Sequence, residues 1–179
     1  TSSSTYASRF VEHYDLPVVN SPATAAVSSD KVETTLALSE AGVPTPETTV
    51  AFTKESALDA VESFGYPCVL KPVVGSWGRL MAKLESRSAA EAVLEHKETL
   101  GHYEHSVFYV QQFVEKPGRD LRVVTLDGEP VAAMTRSSDH WLTNAATGAE
   151  TAALEIDNEV ERLAREASAA VGGGLLGVD

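Results

Sequence analysis

The sequence predicts an α+β fold whose sheets are antiparallel or mixed. Helical and strand-like segments alternate along all 179 residues, with no linker and no internal repeat. Two strand-like segments, 120–126 and 130–136, flank the dipeptide Asp127-Gly128, which is typical of a two-residue β-hairpin. A hairpin joins antiparallel strands, so a purely parallel sheet is excluded. The length is enough for one domain or for two small lobes.

Helix-start and helix-stop residues define the elements of the first half. Pro22 suits the first turn of a helix, and Asp30 with Glu33 three residues later forms a variant of the capping box. Thr53 starts another helix that Gly65 ends. The expected helices are 2–14, a short one from Pro22, 30–42 and 53–65, and the expected strands are 16–20, 69–74 and 80–84.

The second half follows the same pattern. Ser88 and Glu91 form a capping box for a helix that runs to about residue 100. The other expected elements are a strand at 107–114, the hairpin, a polar loop at 137–150, a helix at 157–171 and a final strand at 175–178.

Composition and charge exclude several classes of protein. No apolar run reaches the roughly 18 residues of a membrane span, and the first residues lack the pattern of a signal peptide, so we expect a cytoplasmic protein without membrane contact. The formal net charge of −12 argues against non-specific nucleic-acid binding. The dispersed acidic residues suit a salt-adapted host or an ordinary acidic cytosolic protein. The single cysteine, Cys68, is predicted to be a buried packing residue.

Lys71 is the first candidate for chemistry, because it lies within an otherwise apolar strand. A buried lysine needs an anion nearby, although a lysine whose head reaches solvent is the alternative. The glycines of the following loop, Gly75 and Gly78, would allow its backbone N–H groups to cradle a phosphate. Neither common nucleotide-binding glycine motif is present, nor is a zinc-ligand spacing.

A second group of candidates lies further along the chain. The segment 111–116 joins a strand to the hairpin and could present backbone groups to an adenine edge, with the Asp120 carboxylate available for ribose hydroxyls. Arg122, Arg136 and Asn144 lie nearby in sequence. Each of these residues also has an ordinary interpretation as a surface or turn residue.

The order of these segments resembles a known family. The longer strings are the most specific: 71–79 (KPVVGSWGR), 115–122 (EKPGRDLR), and 136–144 (RSSDHWLTN). Together with Asp30-Lys31, 42–46 and 65–67 they resemble the ribosomal-modification type of ATP-grasp ligases, in particular those that act on an amino-group carrier protein in lysine and arginine biosynthesis. The resemblance covers essentially the whole chain.

The resemblance implies a fold and a set of site residues. Two α+β lobes would hold ATP between them, with 1–29 as the end of a preceding domain, 30–105 as the first lobe and 106–179 as the second. Arg122, Arg136 and Asn144 would face the transferred phosphoryl group, and Asp179 would be a Mg²⁺ ligand. The ATP-binding residues would be Lys31, Lys71, Gly75, Ser76, Trp77, Gly78, Arg79, Gln112, Phe113, Val114, Glu115 and Asp120.

The implied reaction joins L-2-aminoadipate or L-glutamate to the C-terminal glutamate of a small acidic carrier protein through an acyl phosphate. The alternatives are a glutamate ligase that acts on another protein or a small peptide, and a noncatalytic nucleotide-binding module. Where the family has Gln-Glu at the hinge, this chain has Gln111-Gln112. The family's second magnesium carboxylate and its leading β/α segment fall outside 1–179, so a truncated fragment is expected. The full-length parent is expected to be the ATP-dependent ligase, and the 179 residues alone are expected to be inactive. The sequence leaves the amino acid used and self-association into a homo-oligomer open.

Overall fold

The protein is described by a computed structural model that covers residues 2–75, 80–99, 107–143 and 148–179. These residues form six helices and eight strands. The helices are α1 (Ser2–His13), α2 (Pro22–Ser29), α3 (Lys31–Glu40), α4 (Lys54–Phe64), α5 (Arg87–Thr99) and α6 (Asn158–Ala170). The strands are β1 (Thr48–Ala51), β2 (Cys68–Lys71), β3 (Ala82–Leu84), β4 (Phe108–Gln112), β5 (Arg119–Leu126), β6 (Glu129–Ser137), β7 (Glu150–Ala153) and β8 (Leu175–Val178).

The strands form two antiparallel sheets, which confirms the predicted α+β class. One sheet has the order β1-β4-β2-β3 and the other the order β7-β6-β5-β8. Two compact units contain them: one comprises 45–115, and the other 1–44 together with 116–179. The expected functional division at 29/30 and 105/106 stays a prediction.

The unit 45–115 has a core in which helices α4 and α5 pack on one face of the β1-β4-β2-β3 sheet. The core includes Val61, Leu70, Leu84, Leu94 and Val110. Side chains alternate along a strand, so the neighbours of these core residues on β2 and β4 point to the opposite face. Cys68 belongs to this core as predicted, and burial raises the pKa of its thiol.

In the other unit, α6 packs against the β7-β6-β5-β8 sheet. Asp157 caps this helix through hydrogen bonds from the N–H groups of Glu159 and Val160. The hairpin turn is confirmed, and both turn residues have positive φ, 49° at Asp127 and 88° at Gly128. This geometry is the one that Asp-Gly turns favour.

Several local expectations are confirmed. Pro22 is the first residue of α2, Asp30 caps α3 by accepting from the N–H groups of Val32 and Glu33, and Thr53 caps α4. The final strand matches the predicted range 175–178.

Other expectations were wrong. Residues 16–20 form no strand; Leu16 and Val19 are exposed, so this apolar run has no sheet to join. Helix α5 begins at Arg87, and Ser86 rather than Ser88 caps it by accepting from the N–H of Ala89. The short strands β1 and β7 were missed.

Candidate functional site

Lys71 lies at the end of β2, and its ammonium group belongs to a polar network on the face of the sheet away from the core. Its Nζ lies 2.5 Å from Oε1 of Gln111 on the neighbouring strand β4. Gln111 in turn donates from Nε2 to the hydroxyls of Thr48 and Tyr109, at 2.9 and 3.2 Å. Three strands therefore fix the position of one cation, which suits the predicted contact with an anion.

The glycine-rich segment follows Lys71 directly. Gly75 has a φ of 127°, in the region that favours glycine, so the backbone conformation here depends on a residue without a Cβ. The remaining predicted loop residues, Ser76, Trp77, Gly78 and Arg79, lie outside the described residues. Their expected role over a phosphate stays a prediction.

The predicted adenine-facing segment, 112–115, begins at the end of β4. The N–H of Gln112 donates to the carbonyl of Glu47 at 2.9 Å, so this backbone N–H is already hydrogen-bonded within the unit 45–115. The ammonium of Lys83 lies 4.9 Å from the ring centroid of Phe113, within cation–π range. Val114 and Glu115 are exposed. The segment is thus anchored at its start and accessible beyond it.

A dense charged cluster occupies the end of the hairpin in the unit that contains 116–179. Asp120 accepts hydrogen bonds from Nε and Nη2 of Arg136, each at 2.7 Å. The hydroxyl of Thr143 donates to Asp120 at 2.5 Å and accepts from Nζ of Lys116 at 2.6 Å. The Arg136 side chain is only 4% exposed. A buried guanidinium is stable only when charged partners surround it, as they do here.

The same cluster extends to the end of β8. Arg122 donates from Nε and Nη2 to the two carboxylate oxygens of Asp179, at 2.7 and 2.8 Å. Nη2 of Arg136 lies 2.9 Å from Oδ1 of Asp179, so this one guanidinium joins Asp120 and Asp179. Gly177 makes room for Arg122: a Cβ there would lie 3.3 Å from Cζ and Nε of that side chain.

Electrostatics follow from these contacts. Burial alone would raise the pKa of the Asp120 carboxyl, but hydrogen bonds from Arg136 and Thr143 and the charges of Arg136 and Lys116 outweigh it, so this pKa is lowered. The hydrogen bond to Asp120 raises the pKa of Arg136. Both shifts favour the charged forms of Asp120 and Arg136. Guanidinium groups such as those of Arg122 and Arg136 are of the kind that bind phosphoryl and carboxylate oxygens.

Lys31 is the first residue of α3 and lies in the same unit as this cluster. Burial lowers the pKa of its ammonium group, while the neighbouring Asp30 raises it to a smaller extent. A partly desolvated ammonium is suited to contact with an anion. The role of Lys31 at a phosphate remains a prediction.

The residues around Asp179 do not by themselves make a magnesium site. Within the described ranges, no three or more His, Cys, Asp and Glu side chains come together to hold a metal ion. One carboxylate paired with two arginines falls short of the oxygen shell that Mg²⁺ requires. Asp179 stays a predicted ligand.

The structure therefore places Lys71, Gly75 and 112–115 in one unit, and Lys31, Asp120, Arg122, Arg136 and Asp179 in the other. Asn144 is outside the described residues. Sequence reasoning missed Gln111 as the partner of Lys71, Thr48 as a partner of Gln111, and Lys116 and Thr143 as partners of Asp120. Thr143 could have been predicted from the sequence because it precedes the candidate Asn144, whereas the contact of Gln111 with Lys71 depends on strand register.

Two antiparallel α+β units of this kind are those of the ATP-grasp class of folds. More particularly, the chain belongs to the RimK-like ATP-grasp domain family, whose model matches residues 28–179. A RimK domain ATP-grasp protein of Sphaerobacter thermophilus superimposes with a TM-score of 0.81 at 28% identity, over 98% of this chain and 62% of the other. The predicted ATP-grasp fold is confirmed.

Two curated relatives bear on specificity. An alpha-aminoadipate–LysW ligase of Saccharolobus solfataricus is 38% identical over 94% of this chain. A glutamate–LysW ligase of Sulfolobus acidocaldarius is 30% identical over 97% of it. In both cases the chain spans 62% of the relative's length. No helix within the described ranges combines the length and apolar character that a membrane crossing requires.

Proposed function

We propose that this chain binds ATP and acts in an ATP-dependent ligase that joins L-2-aminoadipate or L-glutamate to a small amino-group carrier protein, in lysine or arginine biosynthesis. The observation that carries the proposal is the similarity over nearly the whole chain to LysW ligases for these two amino acids. Its charged side chains are suited to the chemistry, because an acyl-phosphate route moves a phosphoryl group that carries several negative charges.

Each group of residues has a proposed role. Lys31 and Lys71 neutralise phosphates, the loop 75–79 covers them, the segment 112–115 faces adenine, and Asp120 contacts ribose. The guanidinium groups of Arg122 and Arg136 stabilise charge on the phosphoryl group in transfer and on the acyl phosphate. Asn144 orients the acyl phosphate or the amine. Mg²⁺, when bound, would offset further phosphate charge.

The proposed reaction has two steps. The side-chain carboxylate of the carrier's C-terminal glutamate attacks the γ-phosphorus of ATP, which forms an acyl phosphate and releases ADP. The amino group of the amino acid then attacks the acyl carbon, forms an amide, and releases phosphate and a proton. No general base is evident among the described residues, so positioning and charge stabilisation supply most of the catalysis.

A trapping experiment separates the two steps. The full-length parent of this chain is incubated with Mg-ATP, carrier and either amino acid, and the carrier is analysed by intact-mass spectrometry. In a parallel reaction hydroxylamine replaces the amino acid, because it converts an acyl phosphate into a stable hydroxamate. We expect amide formation with one amino acid in preference to the other. When hydroxylamine replaces the amino acid, we expect the carrier hydroxamate to form.

The controls assign any failure. Asn144→Ala should lower turnover while ATP affinity is retained, as expected for a contact used mainly in the transition state. ATP binding without carrier modification by either amino acid or by hydroxylamine would contradict the ligase proposal and favour a binding module. Modification of a short glutamate-ended peptide but not of the carrier would favour the alternative acceptor.

A further inference from the structure

The side chain of Gln111 is buried, with 7% of its surface exposed, although its polar amide lies in a sheet of mostly apolar residues. A buried amide must satisfy both its oxygen and its nitrogen, or it destabilises the fold. Both atoms have partners here, namely Lys71 for the oxygen and Thr48 with Tyr109 for the nitrogen. The position of the amide is therefore defined at both ends.

Strand register explains why these residues meet. Gln111 pairs with Val69 on β2 and with Thr48 on β1, while Lys71 pairs with Tyr109. Residues two apart on a strand share a face, so Lys71, Gln111 and Thr48 all lie on the same side of the sheet. The opposite side carries the core residues Leu70 and Val110.

The hydrogen bonds also fix which end of the amide faces the lysine. The hydroxyl of Thr48 has one hydrogen, which it donates to the carbonyl of Pro46 at 2.9 Å. Towards Gln111 this hydroxyl can therefore only accept, so the amide nitrogen must face Thr48. The amide oxygen is then the atom that faces Lys71, whose ammonium group has donors only.

We propose that Gln111 is a positioning residue for Lys71: its amide oxygen holds the Lys71 ammonium group in place and brings no negative charge to it. This inference rests on the proposed function, in which Lys71 contacts a nucleotide phosphate. A glutamate at position 111 would also accept from Lys71, but its charge would offset the charge that attracts phosphate. A neutral acceptor restricts the flexible lysine side chain and adds no negative charge of its own beside the ligand's phosphates.

The test compares ATP with adenosine, which lacks phosphates, in calorimetric titrations of Gln111→Met. We expect ATP affinity to fall by about three- to tenfold, the range that corresponds to one lost hydrogen bond, and adenosine affinity to stay unchanged. Gln111→Glu should also weaken ATP and spare adenosine. Equal weakening of both ligands would mean that Gln111 only supports the fold, and would overturn the proposal.

Two further sets of variants protect the test. In a Lys71→Met background, Gln111→Met should have no additional effect on ATP affinity, because both changes act through one contact; additive effects would overturn the proposal. Thr48→Val should weaken ATP binding in part and spare adenosine binding, whereas Thr48→Ser, which keeps the hydroxyl, should leave both unchanged. These two variants test the proposal even where Gln111→Met does not fold. Equal ATP affinities for Thr48→Val and Thr48→Ser would contradict a role of the Thr48 hydroxyl in orienting the Gln111 amide.

The outcomes also separate this inference from the proposed function. If Lys71→Met leaves ATP affinity unchanged, Lys71 is no phosphate ligand and both proposals fail at this residue. If Lys71→Met weakens ATP binding but Gln111→Met and Gln111→Glu do not, only the positioning role is overturned.

Discussion

Asp120 and Arg136 are directly opposite each other on β5 and β6, and their side chains form a two-point ion pair with both N···O distances at 2.7 Å. The pair ties the two strands of the hairpin together at the end where the charged cluster lies. Because the carboxylate is engaged by Arg136, Thr143 and Lys116, its ionisation is linked to the stability of this unit.

The first prediction concerns the pH dependence of stability. The folded pKa of Asp120 is lowered from the ordinary 3.8, so its contribution is complete above the unfolded pKa and is lost as the pH falls through the folded pKa. Asp120→Asn should lower the free energy of unfolding at pH 7. The difference between the two proteins should shrink below about pH 5, where the unfolded chain begins to bind the proton.

Urea unfolding at a series of pH values measures this difference. A constant gap between the unchanged protein and Asp120→Asn from pH 7 to pH 3 would show that the carboxylate's ionisation is not coupled to folding.

The second prediction concerns phosphate neutralisation by Lys71. Lys71→Met keeps the length of the side chain and removes its charge, so ATP binding should weaken by about 1.5–3 kcal/mol, the range of a charge-assisted contact. Lys54→Met is the matched control, because Lys54 forms an exposed ion pair with Glu98 at 3.5 Å in the same unit. Calorimetric titration should find ATP affinity unchanged in the control.

Equal ATP affinity for Lys71→Met and Lys54→Met would remove Lys71 from the proposed site. A loss in both variants would instead indicate a general electrostatic effect of the unit's charge, which added salt would abolish.

The local signals in the sequence predicted much of the fold. The caps at Asp30 and Thr53 and the turn at Asp127-Gly128 depend on side-chain chemistry within a few residues, so they can be predicted without the tertiary structure. The predicted strand at 16–20 was wrong for the opposite reason. Its apolar residues fit a strand pattern, but a segment becomes a strand only by pairing with a neighbouring strand.

The short strands show the same limit. β1 and β7 have four residues each, and the side chains of β7 are all exposed, so neither has a clear alternation of apolar and polar residues. They exist because β4 and β6 offer an open edge to them.

The candidate site divides along the same line. Lys71 was predictable as a charged residue in an apolar strand, and Arg136 and Asp120 were predictable from the resemblance to a family. The contact between Lys71 and Gln111 spans 40 positions along the chain, and it follows only from the pairing register of β2 and β4. A single sequence does not contain that register.

The third prediction concerns the buried hydroxyl of Thr143. Thr143→Val preserves the shape of the side chain but leaves Lys116 and Asp120 without their shared partner. The free energy of unfolding should fall by about 1–3 kcal/mol, because a hydrogen bond to each of two charged groups is lost. Thr151→Val, an exposed position on β7, should change it by less than about 0.5 kcal/mol. Equal unfolding midpoints for the two variants, with equal denaturant slopes, would contradict this role.

The last prediction concerns the loop between α6 and β8. Asn20 holds this loop: its Nδ2 donates to the carbonyl of Leu175 at 3.0 Å, and its Oδ1 accepts from the N–H of Leu175 at 2.6 Å. A Cβ on Gly174 would lie 2.5 Å from that Oδ1, whereas a Cβ on Gly128 would meet nothing within 4 Å. Both glycines have a φ near +90°, so they share the backbone cost of an alanine.

Gly128→Ala therefore measures the backbone cost alone, about 1–2 kcal/mol for an L-residue in the left-handed region. Gly174→Ala should cost about 1–3 kcal/mol more, because the new methyl group displaces Asn20 and breaks its two hydrogen bonds. In an Asn20→Ala background this excess should disappear, since the atom that clashes is absent, and the four unfolding free energies form a double-mutant cycle. If Gly174→Ala costs the same in both backgrounds, or no more than Gly128→Ala, then the Asn20 side chain does not hold the loop in solution.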